Sequence, residues 1–139
     1  MNINEFKTDW ISTGIDDKTV VFAESLGKHL CDITPDNRVG RMAMTTTQIR
    51  NVFGEVKRIQ ARMQANSYDS ERPSFLLLRP KMAYAEARVL AKSGRSRITD
   101  FRVIMDKAHI AVKSEDSFKN FVNFFEAVLA YHKFYGGRD

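Results

Sequence analysis

Positively charged side chains dominate two central segments of the chain, and the chemistry open to them is the binding of anions. Residues 41–62 hold five basic side chains against one acidic one, and residues 79–102 hold seven against two. The first 40 residues and the last 37 carry no such excess. The formal net charge of +5 therefore arises in the centre of the chain, and a polyanion is the partner that this distribution favours.

Other reactive side chains show no spacing typical of catalysis or metal binding. His29, His109 and His132 fall on three different predicted helices, without the paired spacing of a metal-binding helix. Cys31 is the only cysteine, which excludes an intramolecular disulfide and a thiolate zinc cluster. There is no glycine-rich phosphate loop and no nucleophile elbow. The sequence predicts no enzyme activity, no metal and no cofactor.

Length and composition predict one globular domain over residues 1–139. Residues 1–43 are predicted as an N-terminal helix and a connection, and residues 44–139 as the main helical body. A hydrophobic share of 43% with 28% charged residues is ordinary for a globular protein. No apolar run approaches the roughly 20 residues that span a bilayer, and the N-terminus lacks the pattern of a secretory signal. We therefore expect a cytoplasmic protein without a membrane partner.

Apolar residues recur at three- and four-residue steps, which predicts an all-α fold, a compact bundle of about five helices. The first helix is predicted from Asp16 or Asp17 to about Asp32. Its apolar side holds Val20, Ala23, Gly27 and Leu30. The second helix is predicted from hydroxyl caps at Thr45–Thr47 to about Asn66. Its apolar stripe consists of Ile49, Val52, Phe53, Val56, Ile59 and Met63.

The middle of the chain contains the strongest breaker signals. The stretch SYDSERPS at residues 67–74 is predicted to be a polar linker. Two arrangements fit the segment after this linker: one helix broken at Pro80, or a short apolar lead and then a helix with Pro80 in its first turn. We favour the second, because proline is well tolerated at the start of a helix. Gly94 is predicted to end this third helix.

Two further helices are predicted in the last third of the chain. Ser96 or Thr99 caps the fourth helix, and Ser114 starts the last one. The apolar side of the fourth helix holds Phe101, Ile104, Met105, Ala108 and Val112. The last helix buries Phe118, Phe121, Val122, Phe125, Val128, Leu129 and His132 and continues to Tyr135.

The basic residues can be placed on these helices at about 100° of rotation per residue. The second helix carries its cations opposite the apolar stripe, with Gly54 and Ala61 between them: Arg50, Lys57, Arg58 and Arg62. Small residues flanked by cations let a phosphate backbone come close, and only Glu55 lies at the margin of this face. On the third helix Lys81, Arg88 and Lys92 follow Arg79 closely. Tyr84 of this helix either stacks on a base or packs, and we favour packing because it is a lone tyrosine amid apolar positions. A solvated surface is the competing interpretation, and we favour binding.

Three stretches resemble one known family. They are MTTTQIRNVFGEVKRI at residues 44–59, LLRPKMAYAEAR at 77–88 and FFEAVLAYHKFYGGRD at 124–139. In this order and spacing they resemble the small subunit of the type III-A (Csm) CRISPR-Cas effector complex. The first forty residues match only in a predicted helix.

The resemblance implies about five helices and a non-catalytic role in antiviral defence. Copies of such a subunit stack into a minor filament, whose basic positions contact the RNA backbone. The implied partners are guide RNA and target RNA, other subunits of the complex, and neighbouring copies of the chain itself. The RNA-binding positions that lie in the motifs and in the basic segments are Arg50, Arg58, Arg79, Lys81 and Arg88.

Three further cations are candidates for RNA binding, and the C-terminal segment has two interpretations. Lys57 and Arg62 rest on periodicity, and Lys133 could reach RNA or a neighbouring subunit. Tyr131 and Phe134 are predicted to pack, whereas Tyr135 and the adjoining diglycine either cap the bundle or dock on the next subunit.

Two alternative functions belong to other classes. A free helical DNA-binding regulator could read bases with Arg50 and Asn51 of the second helix, although dimer elements are not evident. A protein-only scaffold is the third possibility. Binding of single-stranded RNA and of duplex DNA at two salt concentrations separates these functions.

Overall fold

Helices are the only regular elements within residues 1–136, the part of the chain that the computed structural model describes. A 3-10 turn at Ile3–Glu5 precedes seven α-helices: α1 (Asp9–Ser12), α2 (Asp17–Leu30), α3 (Thr46–Ala65), α4 (Tyr68–Leu76), α5 (Leu78–Ser93), α6 (Ile98–Ile110) and α7 (Glu115–Phe134). The five long helices correspond to the five predicted ones, so the all-α prediction is confirmed. None of the helices in residues 1–136 is long and apolar enough to cross a membrane.

The packing of α2 against α7 is the most extensive in the fold. The two helices approach closely at Gly27, where a methyl group would lie 2.7 Å from the backbone nitrogen of His132. Ala23, Gly27 and Leu30 are buried as predicted, but Val20 is exposed, so its predicted burial is wrong. The buried position in that turn belongs to Thr19, which also forms a capping box with Asp16.

The first 15 residues contribute to the core, which the sequence pattern did not predict. Phe6, Trp10 and Ile11 are buried. The Phe6 ring lies 5.6 Å from the Trp10 ring and 5.4 Å from the Phe124 ring, and Trp10 also contacts Phe22 at 5.4 Å between centroids. Aromatic pairs at these distances contribute beyond their buried area. The N-terminal segment therefore covers one side of the α2–α7 pair.

Helix α3 matches its prediction closely. Thr45 is the N-cap and forms a capping box with Gln48, and the helix ends at Ala65. Ile49, Val56, Ile59 and Met63 are buried, whereas Val52 and Phe53 are only partly buried against the core. The predicted stripe is thus confirmed, and its Phe53 edge reaches the surface.

The stretch predicted as a polar linker, residues 67–74, instead forms most of α4. Ser67 caps this helix through a capping box with Ser70, and Pro73 is accommodated inside it. The residues of α4 have little helix propensity of their own, so tertiary packing stabilises the helix. Phe75 is buried, and its ring stacks on His109 of α6 at 3.9 Å. Local turn composition is overridden by that burial, so the linker prediction is wrong.

The remaining helix ends agree with the sequence signals, except at the start of α6. Pro80 lies in the first turn of α5, and Gly94 ends that helix with φ of +78°, a conformation that favours glycine. Arg97 is the N-cap of α6 and makes no side-chain cap, so the prediction that Ser96 or Thr99 caps this helix is wrong, although the Ser96 hydroxyl accepts a hydrogen bond from the Ile98 amide. Ser114 caps α7 through a capping box with Ser117. The predicted apolar sides of α6 and α7 are buried, except that Leu129 is partly exposed.

Candidate nucleic-acid interface

The two basic helices, α3 and α5, are joined by one carboxylate. Glu55 of α3 accepts a hydrogen bond from the Arg58 guanidinium at 2.8 Å and another from the Lys81 ammonium of α5 at 3.1 Å. The hydrogen bonds from Arg58 and Lys81 lower the pKa of Glu55, so its side chain is ionised at neutral pH. Glu55 is largely buried, whereas the Arg58 and Lys81 side chains are 63% and 58% exposed. The carboxylate therefore holds two accessible cations side by side.

Two more cations of α3 lie against carboxylates from other helices. Lys57 Nζ is 3.3 Å from Glu126 Oε1 of α7, and Arg62 Nε is 2.6 Å from Glu71 Oε1 of α4. The sequence placed Glu55 alone beside this face, and that expectation is wrong because Glu71 of the following helix and Glu126, 69 residues from Lys57, also lie there. An ion pair between exposed side chains contributes only about 0–1 kcal/mol, so a phosphate can compete for Lys57.

Arg50 and Lys133 are both exposed and are the first and the last of the eight candidate cations along the chain. Arg50 lies near the N-terminus of α3, and Lys133 lies in the last turn of α7. Neither forms an ion pair with any residue of the described range 1–136. Gly54 separates Arg50 from Arg58 along α3, and a methyl group added there would meet only the Arg58 side chain, at 3.6 Å. The surface between these two arginines is therefore open.

The cations of α5 do not share one face. Arg79 and Arg88 are nine residues apart, which at about 100° per residue places them on opposite sides of the helix. Arg79 lies on the side of α6, where its charge acts on the buried His109. Lys81 and Arg88 differ by only about 20° and lie together on the α3 side. Helical rotation therefore places Lys81 and Arg88 on one side of α5 and Arg79 on the other, and the bond of Lys81 to Glu55 joins the first side to α3.

Tyr84 lies on the exposed side of α5, and the prediction that it packs is wrong. Its residue surface is 66% exposed, and the guanidinium of Arg88 lies 5.9 Å from the centroid of its ring. The buried side of α5 is instead formed by Leu78 and Met82. Tyr84 lies two positions after Met82, a rotation of about 200° that turns the tyrosine away from the core.

Part of the central charge excess stabilises the fold. Arg97 Nη2 is 2.9 Å from Asp32 Oδ1, and this pair ties the connection after α2 to the start of α6. Arg102 forms ion pairs with Glu86 of α5 and with Asp106 of its own helix. The hydrogen bond to Glu86 is the main cause of the raised pKa of Arg102, and Asp106 adds to it. These two arginines are therefore engaged inside the chain.

Two of the three histidines are buried structural donors. Nε2 of His109 lies 2.6 Å from the carbonyl oxygen of Phe75, and Nε2 of His132 lies 2.7 Å from that of Met44. Because a carbonyl oxygen only accepts, Nε2 carries the hydrogen in both rings. Burial lowers the pKa of both histidines, so each is neutral at neutral pH. Both rings thus connect α6 and α7 to segments distant in sequence.

The other reactive groups are also engaged within the chain. His29 Nε2 lies 2.7 Å from Asp100 Oδ2, which links α2 to α6. Burial raises the pKa of Cys31 to about 11, and its thiol donates to the carbonyl oxygen of His132 at 3.3 Å. Such a thiol is a poor nucleophile, because the thiolate is the reactive form. Across residues 1–136 no three ligand-type side chains gather in a way that could hold a metal ion.

Comparison with known proteins identifies the family to which these features belong. A family model described as Csm2 Type III-A matches residues 18–138. The chain belongs to the Csm2 type III-A family. The "CRISPR system Cms protein Csm2" of Streptococcus thermophilus is 28% identical to it over 109 residues, which cover 75% of this chain and 82% of the relative. No solved structure gives a significant match.

Membership of the Csm2 family makes the chain a small subunit of a type III-A CRISPR effector complex, as the sequence motifs implied. The match begins in α2, so the part that resembles the Csm2 family is longer than the three motifs within residues 44–139 indicated. It includes α3, α5 and all eight candidate RNA-binding residues. Residues 1–17, with the buried Phe6, Trp10 and Ile11, lie outside it.

Proposed function

We propose that this chain is a non-catalytic, cytoplasmic RNA-binding subunit that forms the minor filament of its effector complex and contacts the backbone of guide and target RNA. The observation that carries the proposal is the cluster at Glu55, where Arg58 of α3 and Lys81 of α5 are held together and remain exposed. Arg50 extends this surface along α3, and Arg88 extends it along α5. We call the exposed side of Arg50, Arg58, Lys81 and Arg88 the basic surface.

The chemistry of the basic surface suits phosphate. Arginine presents several N–H donors in a planar fork, so Arg58 can keep one bond to Glu55 and offer others to a phosphate oxygen. The Arg58 and Lys81 side chains are mostly exposed, so each can contact a phosphate while it keeps its bond to Glu55. Because Glu55 already restricts the Arg58 and Lys81 side chains, these cations lose less side-chain entropy on binding than free ones do.

The task of an effector subunit agrees with such a surface. An effector must accept any guide, so its protein contacts should grip phosphates and sugars while base pairing reads the sequence. Lys57, Arg62, Arg79 and Lys133 are secondary candidates in this proposal. Arg62 is held by the mostly buried Glu71, and Arg79 lies on the other side of α5 from Arg88.

Contacts between neighbouring copies are the second part of the proposal, and they rest on one exposed aromatic side chain in the last turn of α7. Phe134, predicted to pack, is instead 75% exposed in the last turn of α7. Tyr131 is partly buried against the core as predicted. Tyr135 donates its hydroxyl hydrogen to Glu24 at 2.6 Å, so it caps the bundle from within, while Gly137 lies outside the described residues. Phe134 is therefore the residue we assign to a neighbouring subunit.

Replacing Arg50, Arg58 and Arg88 by alanine should weaken retention of target RNA by the assembled complex. For single-stranded RNA and the isolated chain, the slope of log affinity against log salt should fall in magnitude by about 0.7 for each phosphate that is no longer neutralised. The weakening should be equal for unrelated guide and target pairs. Arg79→Ala, measured separately, should have a smaller effect because Arg79 faces α6.

A matched control replaces the same number of charges elsewhere. Lys7, Lys18 and Lys119 are exposed and lie outside α3 and α5. Changing these three lysines to alanine should leave RNA retention and the salt slope near the parent values. If the arginine variant assembles normally and behaves like this control, the basic surface does not bind RNA and the proposal is wrong.

Gly54→Ala should raise stability and lower RNA affinity at once. Alanine is favoured over glycine inside a helix by about 0.5–1 kcal/mol, and the methyl group has room at 3.6 Å from a flexible arginine. The same methyl group would stand between Arg50 and Arg58, where we place a phosphate backbone. Denaturant unfolding and RNA titration of one preparation measure both effects. Higher stability with unchanged RNA affinity would show that the RNA backbone does not pass over this part of α3.

A further inference from the structure

Tyr84 is an exposed aromatic side chain set among cations. Its ring lies under the Arg88 guanidinium at 5.9 Å, and it shares the outward side of α5 with Lys81 and Arg88. Within the described residues its hydroxyl group makes no hydrogen bond, and its ring has no aromatic neighbour. Within residues 1–136 the Arg88 guanidinium is therefore the one charged or aromatic partner of the Tyr84 ring.

The surroundings leave the Tyr84 ring open to a flat ligand. Ala83, Ala87 and Ala91 are exposed on one flank of the ring, where the other exposed side chain is the compact ring of Pro80. On the other flank are Lys81, with its ammonium on Glu55, and Arg88. A planar group placed on the ring would thus have cations that can bind phosphate on one side and the small apolar side chains of the alanines on the other.

An unpaired nucleobase has the chemistry that such a position recognises. Proteins that bind single strands without sequence preference combine a cationic path for the backbone with aromatic rings on which bases stack. Stacking tolerates any base, because every base presents a π face. A base inside a duplex is already stacked on both sides and cannot use the ring. The arrangement of Tyr84 therefore selects an unstacked nucleotide over a paired one.

We infer that Tyr84 stacks on an unpaired base of bound RNA while Lys81 and Arg88 hold the adjoining phosphates. This inference rests on the RNA-binding role proposed above and adds the state of the nucleotide to it. It makes α5 a site for a base that is single-stranded or displaced from the guide-target pairing.

The test compares three RNA probes on the full chain: a single-stranded oligonucleotide, the same strand annealed to its complement, and the same strand with abasic positions. Tyr84→Ala should weaken binding of the single strand about five- to tenfold. It should leave binding of the duplex and of the abasic strand unchanged. Tyr84→Phe should retain the parent affinity, because the ring and not the hydroxyl group makes the contact. Thermal unfolding should match the parent, since Tyr84 is exposed.

Photo-crosslinking provides a direct readout. A single strand that carries 5-iodouridine should crosslink to Tyr84 on irradiation, and the peptide can be mapped by mass spectrometry. Val21→Ala is the matched control, because Val21 is a similarly exposed apolar side chain that lies on α2, outside the basic surface. It should change neither the affinity nor the crosslink.

Several results would overturn the inference. Parent affinity in Tyr84→Ala would do so, as would an equal weakening on the duplex or on the abasic strand. Failure of complex assembly with unchanged RNA affinity would assign Tyr84 to a protein partner instead. Suppose that the triple arginine variant no longer binds RNA, whereas Tyr84→Ala binds it with the parent affinity. The stacking inference is then wrong, and the RNA-binding role stands. If the parent chain binds no RNA, both fall.

Discussion

Replacing Phe125 by alanine is expected to lower the free energy of unfolding by about 3–5 kcal/mol, a cost typical of removing a buried phenylalanine ring. Phe125 of α7 is fully buried. Its ring contacts those of Phe53 at 5.2 Å, Phe101 at 5.4 Å and Phe121 at 6.4 Å between centroids. The cavity left behind would therefore lie where α3, α6 and α7 meet. A denaturant titration monitored by circular dichroism measures the change.

Alanine substitutions of Phe53 and Phe134 test whether the loss of stability follows the burial of the ring. Phe53 and Phe125 are equivalent in the sequence pattern, but Phe53 is only partly buried, so water can fill the space that Phe53→Ala leaves. We expect its cost to be smaller than that of Phe125→Ala by at least about 1 kcal/mol. Phe134→Ala, at an exposed site, should change stability by less than about 0.5 kcal/mol. Equal midpoints for all three variants would contradict this assignment of the core.

The helices could be predicted from the sequence where their signals are local. The N-cap of α3 at Thr45 and that of α7 at Ser114 each depend on a residue three positions later, Gln48 and Ser117. Apolar spacing within one helix is equally local. Gly94 ends α5 because its positive φ suits glycine, a requirement visible in the residue itself.

The elements that were missed depend on partners far away in the chain. Helix α4 forms over residues with the composition of a turn, because Phe75 packs on His109, which is 34 residues away. Trp10 is buried against Phe22 and, through Phe6, against Phe124 of α7. No local pattern specifies such contacts. The spacing of Phe6, Trp10 and Ile11 was nevertheless a helical signal that could have been used.

In the candidate site, too, the local features could be predicted from the sequence and the long-range contacts could not. The exposure of Arg50, Arg58 and Arg88 agrees with helical periodicity, and so does the separation of Arg79 from Arg88. The ion pair that brings α3 to α5 joins Glu55 and Lys81 across 26 residues, and the pair of Lys57 with Glu126 spans 69. Which cations remain accessible to RNA is therefore a property of the tertiary structure.

Gly27→Ala should destabilise the chain by about 2 kcal/mol, although alanine is the better helix former. The added methyl group would lie 2.7 Å from the His132 nitrogen, 2.7 Å from Tyr131 Cβ and 2.8 Å from the Tyr131 carbonyl carbon. Two of these atoms are backbone and cannot rotate away, so α2 and α7 must separate. Overpacking of this kind costs about 1–3 kcal/mol or more, which exceeds the gain of about 1 kcal/mol in helix propensity.

Gly54→Ala isolates the steric part of this prediction, because it is the same substitution in a helix that leaves room for it. The propensity gain is common to both variants, so the difference between their free energies of unfolding, about 3 kcal/mol, measures the close approach of α2 to α7. Separation of these helices should also weaken the bond of His132 to Met44 and expose Cys31, whose thiol donates to the His132 carbonyl. Faster reaction of Cys31 with a thiol reagent in Gly27→Ala, at unchanged rate in Gly54→Ala, is the expected signature. If both variants are stabilised alike, the two helices do not touch at Gly27.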